Sequence, residues 1–265
     1  MLGRMMKYEI KATQRTFLPI YGLIIIFALL IRLFTQFNFQ HMNGAFSFLM
    51  GITIFIYVIL IAAALIMTIV ATSRRFTTNL LGDEGYLSFT LPVKIHSHID
   101  CKMLVSLMWA VLSVIVTLLS VFVLSVDTNF INKNNPFFAE FGADYSRCGN
   151  MAHLITFEII VLVLISILCV ILQIYASATV GNLCGKHRRL VSFGTFIGLG
   201  IAQMIVYSFI INYIKIKNFS LPMGEQAMLS AIAANIGIAM AVTAAFCVAF
   251  YFLTYWLLSR KLNLE

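Results

Sequence analysis

Six long apolar stretches limit this chain to a small set of folds. Each is long enough to cross the roughly 30 Å hydrocarbon core of a bilayer, which takes about 20 residues of α-helix. Backbone N–H and C=O groups inside a bilayer must bond to one another, and a helix satisfies them within one segment. The sequence therefore predicts an all-α, polytopic membrane protein with transmembrane helices at residues 17–37, 46–72, 103–126, 152–180, 190–214 and 227–258.

The composition supports the same class of protein. Of the 265 residues, 61% are hydrophobic and 11% are charged, and the mean hydropathy is +0.97, which excludes a soluble domain of this length. We expect one transmembrane domain over residues 1–265, with the lipid bilayer as its surroundings. The net charge of +8 comes from cations that flank the spans, so it predicts topology and no nucleic-acid partner.

The cations indicate how the chain is oriented, because short cytosolic loops are enriched in Lys and Arg. Six spans place both termini on one side of the membrane. Thirteen cations lie on the side of the termini: Arg4, Lys7, Lys11, Arg15, Arg74, Arg75, Lys94, Lys102, Lys186, Arg188, Arg189, Arg260 and Lys261. Four lie on the other side: Lys133, Arg147, Lys215 and Lys217. The sequence therefore predicts cytosolic termini and an external loop at residues 127–150.

The first 16 residues have an amphipathic pattern. At about 100° per residue, the four cations of this segment fall within one arc and its apolar residues fall opposite. The pattern predicts an interfacial elbow helix at residues 1–16, ahead of Pro19 and the first span. The alternative is a frayed basic tail.

The cytosolic segment 73–102, between the second and third spans, is too ordered for a plain linker. Gly82 and Gly85 bracket two acids, and Pro92 ends an apolar-rich run. The spacing of Ser97 and Asp100 matches a capping box, which predicts that the third helix starts there. These signals favour a short, capped helix within the segment.

The run Asp83-Glu84-Gly85-Tyr86-Leu87-Ser88-Phe89-Thr90-Leu91-Pro92-Val93, followed by Lys102-Met103-Leu104, resembles the cytosolic loop of ABC-2 type transporter permeases from low-GC Gram-positive bacteria. In that family the loop forms a coupling helix that docks on a separate ATPase subunit, and an elbow helix precedes the first span. The resemblance implies that the coupling residues are Asp83, Glu84, Gly85, Tyr86, Leu87, Phe89 and Leu91.

The resemblance also implies a function. The chain would be the permease subunit of an ATP-driven exporter in the bacterial plasma membrane. It would pair with a second permease subunit, as a homodimer or a heterodimer. It would hold no cofactor, because ATP and Mg would bind to the partner ATPase. The alternatives are a membrane-embedded enzyme and a sensory or structural membrane partner without a transport path.

A second cytosolic turn contains Lys186, His187 and Arg188. Gly181 and Gly185 give it a superficial likeness to a phosphate loop, but three residues separate them instead of four, and His follows the Lys. The turn is either a cationic anchor or a second contact with the ATPase. The chain thus has no ATP-binding motif of its own.

Two charged residues fall inside predicted spans at similar depth, Arg32 in the first and Glu158 in the fourth. A charged side chain in lipid is energetically unfavourable unless it is paired or hydrated. We expect either an ion pair between the two side chains or snorkelling of each to the interface.

No pattern indicates catalysis or a metal. Asp83 and Glu84 are adjacent, so on a helix they diverge by about 100° and do not flank one bond. His96, His98, Asp100 and Cys101 lie close in sequence but lack a matching second half-site. We therefore predict a protein that is not an enzyme, with no catalytic residue and no metal ligand.

The sixth span carries small residues at every fourth position: Ala233, Gly237, Ala241 and Ala245. Such a stripe lets another helix approach closely, either within one subunit or between two. The five cysteines fall in separate parts of the sequence, namely Cys101 and Cys184 in cytosolic loops, Cys148 outside, and Cys169 and Cys247 in spans. That separation predicts no disulfide framework.

Overall fold

The computed structural model describes residues 2–36, 44–81, 95–125, 136–184, 187–218 and 224–260. These residues contain six α-helices and no strand. The helices are α1 (Leu2–Gln36), α2 (Gly44–Phe76), α3 (Ile95–Ser125), α4 (Pro136–Asn182), α5 (Arg188–Asn218) and α6 (Glu225–Arg260). A five-residue π-helix, Thr77–Leu81, continues α2.

All six helices are long and apolar enough to cross a membrane, which confirms the predicted all-α class and the number of spans. The candidate spans are Met5–Gln36, Phe46–Phe76, His96–Ser125, Gly149–Asn182, Arg188–Ile214 and Ala227–Ser259. Many large apolar side chains on them are exposed, including Phe48, Phe55, Met204, Phe209 and Phe252. Water would disfavour this much exposed apolar surface, and lipid would not.

The first 16 residues do not form a helix of their own. α1 runs without interruption from Leu2 to Gln36, with Pro19 inside it. Thr13 and Phe17 are buried on one face, whereas Lys7, Lys11 and Arg15 are exposed. The amphipathic pattern is therefore present, but its apolar face packs against protein.

Part of the segment predicted as an external loop is helical. α4 begins at Pro136, and Gly149 breaks its helical geometry with a φ of 54° and a ψ of −134°. A positive φ is unfavourable for residues with a Cβ atom, so glycine suits this position. Gly149 thus separates the first helical piece of α4, which begins at Pro136, from the candidate span Gly149–Asn182.

The chain divides into two compact units. The first comprises residues 1–71 and 104–144. In its core Phe17 stacks on Trp109 with ring centroids 4.7 Å apart. Hydroxyl groups connect its helices: Tyr21 and Ser113 are 2.6 Å apart, Ser113 and Thr68 are 3.0 Å apart, and Tyr57 and Ser120 are 2.8 Å apart.

The second unit comprises residues 72–103 and 145–265, and α4 forms its centre. Residues 171–179 of α4 are all buried, so protein surrounds the helix there on every side. Gln173 donates from Nε2 to the Phe196 carbonyl at 3.0 Å, and the Thr195 hydroxyl lies 3.3 Å from the Ser177 carbonyl. These bonds connect α4 to α5.

Candidate functional site

The predicted coupling residues Asp83, Glu84, Gly85, Tyr86, Leu87, Phe89 and Leu91 lie outside the described residues. The two flanks of their segment are described, and both belong to the second unit. The candidate site therefore consists of the residues at which the chain leaves α2 and enters α3.

The N-terminal flank is anchored on α4. Phe76 ends α2, and its ring stacks on that of Tyr175 with centroids 4.1 Å apart and planes at 12°. Both side chains are fully buried, as is Leu80 in the π-helix that follows. π-helical turns are rare and frequently mark functional positions. The chain therefore leaves α2 for residues 82–94 from a fixed point in the core.

The C-terminal flank is anchored on α6. The imidazole of His96, in the first turn of α3, stacks on the ring of Tyr255 with centroids 4.0 Å apart and planes at 13°. A second ring, that of Tyr251, lies parallel to it at 6.2 Å. His98, Ile99, Cys101 and Lys102 are buried directly after it.

A short hydrogen-bond chain reinforces this flank. The Tyr251 hydroxyl donates to Asp100 Oδ1 at 2.9 Å, and His96 Nδ1 lies 3.1 Å from the same hydroxyl. A phenol has one proton, which goes to Asp100, so its oxygen accepts the bond from His96 Nδ1–H.

The predicted capping box is wrong. α3 begins at Ile95, so Ser97 lies inside the helix and is not its N-cap. Asp100 accepts its hydrogen bond from Tyr251 of α6 instead of closing a box. A tertiary contact has replaced the local one that the spacing suggested.

The cytosolic turn that we predicted as a cationic anchor or a second ATPase contact lies at the junction between α4 and α5. Lys186 is outside the described residues, whereas His187 and Arg188 are exposed. A Cβ atom placed on Gly181 would lie 2.7 Å from the Arg188 carbonyl oxygen and 2.8 Å from the Ser192 nitrogen. Only glycine allows this approach, which holds the exposed cations in place at the start of α5.

The two residues of the predicted ion pair lie in different units. Arg32 lies in the first unit and Glu158 in the second, and both side chains are partly buried. Within the part of the chain that the structure describes, Glu158 Oε2 is buried without a hydrogen-bond partner. The pair stays a prediction.

The small-residue stripe of α6 is open along most of its length. Ala233 and Gly237 are partly buried, whereas Ala241 and Ala245 are exposed. Nothing lies within 4 Å of a Cβ atom placed on Gly237. Close packing of this stripe against another helix of the same subunit is therefore not observed among the described residues.

The described residues contain no group of three His, Cys, Asp or Glu side chains that could hold a metal ion. The partners of His96 and Asp100 are Tyr251 and Tyr255, so these residues serve helix packing in the structure. Cys101 is also buried.

Comparison with known proteins gives no match. No protein-family model, no curated protein and no solved structure is significantly similar to this chain.

The sequence interpretation missed the anchors on α4 and α6. One signal was available: His96 and Asp100 are four residues apart on α3, and Tyr251 and Tyr255 are four residues apart on α6, so each pair shares one helix face. Matching a His/Asp face to a Tyr/Tyr face would have suggested the contact. Phe76 and Tyr175 carry no such signal.

Proposed function

We propose that this chain is the permease subunit of an ATP-driven ABC-2 type transporter, and that it works as an exporter. In this proposal residues 82–92 form the coupling element, a separate ATPase binds and hydrolyses ATP, and a second permease subunit completes the transporter. The chain lies in the bacterial plasma membrane with both termini in the cytosol.

One observation carries the proposal beyond the sequence motif. Both flanks of the proposed coupling segment are held by aromatic stacking: Phe76 stacks on Tyr175 of α4 in the core, and the exposed His96 ring stacks on the partly buried Tyr255 of α6. A freely hinged loop would absorb a displacement without moving the helices. A segment fixed at both ends passes it to the helices that hold it.

The proposed mechanism follows from these anchors. ATP binding closes the ATPases and displaces residues 82–92. Phe76 passes the displacement to α4, because stacked aromatic rings in a packed core resist separation. The His96 ring and the bond from Tyr251 to Asp100 pass it to α6. Movement of these two helices would open the transport path.

Photo-crosslinking tests whether the segment contacts an ATPase. A benzophenone amino acid replaces Tyr86 in the full chain, and cells are irradiated before the membranes are solubilised. We expect a crosslinked partner whose sequence contains a phosphate-loop motif. The same amino acid at Phe138, in the predicted external segment, serves as the control and should not capture that partner.

Matched substitutions then test the contact itself. Tyr86→Ala and Glu84→Lys should reduce co-purification of the captured ATPase, because aromatic anchors dominate small interfaces and charges fix their register. Tyr145→Ala and Glu140→Lys make the same changes in the external segment and should leave co-purification intact. Normal ATPase binding and transport by the first two variants would show that the segment is only a connector.

Thiol labelling tests the orientation. Cys184 is exposed just beyond α4, so a membrane-impermeant maleimide should label it only after cells are permeabilised. Cys148 should be labelled in intact cells. Cys101 is buried and should react slowly in either case. Labelling of Cys184 from outside would overturn the orientation and with it the coupling assignment.

A further inference from the structure

Two cysteines that are far apart in the sequence lie side by side between α4 and α6. The Cys247 thiol is 3.6 Å from the Ile165 carbonyl, which belongs to the helical turn that precedes Cys169. Side chains in a helix lean toward its N-terminus, so the Cys169 thiol points over that same turn. The two thiols are therefore neighbours at the same turn of α4. Both are free and buried, with 4% and 7% of their surface exposed.

A third helix distinguishes the two sulfurs. Gln203 of α5 donates from Nε2 to the Cys169 sulfur at 3.2 Å. An N–H donor stabilises a thiolate more than a thiol, and the thiolate is the nucleophilic form. Cys247 instead directs its own S–H toward the Ile165 carbonyl. Cys169 is therefore suited to attack an oxidant, and Cys247 to react second.

We propose that Cys169 and Cys247 form an intramembrane dithiol that hydroperoxides convert to a disulfide joining α4 to α6. The Cys169 thiolate attacks the terminal peroxide oxygen and breaks the O–O bond, which gives a sulfenic acid and an alkoxide that takes up the thiol proton to become an alcohol. The Cys247 sulfur then attacks the sulfenic sulfur and releases water. One hydroperoxide is reduced to one alcohol and one water while two thiols become one disulfide.

The position of the pair indicates where the oxidant comes from. Both cysteines lie inside the candidate spans Gly149–Asn182 and Ala227–Ser259, and both are buried. A hydroperoxide dissolved in the bilayer reaches this depth more readily than one dissolved in water. We therefore expect organic hydroperoxides to act faster than hydrogen peroxide.

A cleavable version of the full chain tests the proposal in membranes. A protease site is inserted between Pro222 and Met223, and the protein is oxidised with cumene hydroperoxide or with hydrogen peroxide before it is cleaved. Cys247 is the one cysteine of residues 223–265, so any disulfide between the fragments has to include it. The fragments should stay joined without reductant and separate with it. Faster crosslinking by cumene hydroperoxide would indicate that the oxidant reaches the pair from the bilayer, and faster crosslinking by hydrogen peroxide would indicate that it comes from water.

Variants identify the partner and the role of the amide. Cys169→Ser should abolish the link, whereas Cys101→Ser and Cys184→Ser should leave it intact. Gln203→Leu should slow oxidation roughly tenfold, because a hydrogen bond to a charged group is lost. Gln173→Leu removes an amide that connects the same two helices without touching a thiol, and it should leave the rate unchanged.

Three results would overturn the proposal. They are fragments that separate after both oxidants, a link that persists in Cys169→Ser, and equal oxidation rates for Gln203→Leu and Gln173→Leu. Mass spectrometry of the unsubstituted chain gives an answer that does not depend on any variant, because the Cys169 and Cys247 peptides should be recovered as one disulfide-bonded species.

Discussion

The two compact units use different polar groups to hold their helices together. In the first unit the hydrogen bonds between helices include those of neutral hydroxyls and an indole, such as the bonds of Tyr21 with Ser113 and of Trp109 with Thr13. In the second unit they include a carboxylate, an imidazole, two amides and two thiols. Side-chain hydrogen bonds between membrane helices stabilise them modestly, by about 0.6 kcal/mol on average.

This difference indicates a division of roles. The hydroxyl contacts of the first unit are spread along α1, α2 and α3, as expected for packing. Several contacts of the second unit converge on the flanks of residues 82–94, where Phe76, His96 and Asp100 meet α4 and α6. We therefore expect substitutions at these flanks to have larger effects than matched substitutions elsewhere.

The largest effect is expected for Phe76→Ala. The ring is fully buried and stacked on Tyr175, and truncating a buried Phe costs about 3–5 kcal/mol. Thermal unfolding in detergent should show a large loss of stability. Phe157→Ala, at a ring that is 67% exposed, is the control and should shift the transition little. Equal shifts would mean that the Phe76 flank is not anchored.

Gly181→Ala should cause the next largest loss of stability. The new Cβ atom would meet two backbone atoms closer than 3.0 Å, and such overpacking costs about 1–3 kcal/mol. Gly198→Ala is the matched change, because nothing lies within 4 Å of a Cβ atom there. The ratio of folded monomer to aggregate in fluorescence size-exclusion chromatography measures both. A normal profile for Gly181→Ala would show that α4 and α5 are farther apart than described.

Tyr251→Phe should have an intermediate effect. The substitution removes the hydroxyl that donates to Asp100 and accepts from His96. Loss of a hydrogen bond to a charged group costs about 1.5–3 kcal/mol. Combining Tyr251→Phe with Asp100→Asn in a double-mutant cycle should give a nonzero coupling energy from the unfolding temperatures. Strict additivity would show that the two side chains do not bond.

Tyr21→Phe, the matching change in the first unit, should have the smallest effect. Ser113 keeps Thr68 and the Trp109 carbonyl as hydrogen-bond partners, so no buried polar group is left unsatisfied. We expect a loss of about 1 kcal/mol or less, measured in the same unfolding assay. A larger loss than for Tyr251→Phe would reverse the comparison between the units.

Sequence reasoning predicted the architecture more fully than the site. Residues such as Phe48 and Phe55 lie in long apolar runs, and hydropathy alone identifies those runs as spans. The ends of the helices were less predictable, because α2 continues to Phe76 and Pro19 does not interrupt α1. Helix boundaries depend on capping and tertiary contacts that hydropathy does not report.

The sequence by itself determined that the chain forms six apolar helices, because a bilayer requires internally bonded backbone and about 20 apolar residues for each crossing. Only the tertiary structure decided which helix faces meet. Apolar residues occupy lipid-facing and protein-facing positions alike, as exposed Phe252 and buried Phe250 on α6 show. The hydropathy pattern therefore indicates little about which face of a helix contacts lipid and which contacts protein. Contacts such as those of Asp100 with Tyr251 and of Cys247 with the Ile165 carbonyl depend on how the helices pack.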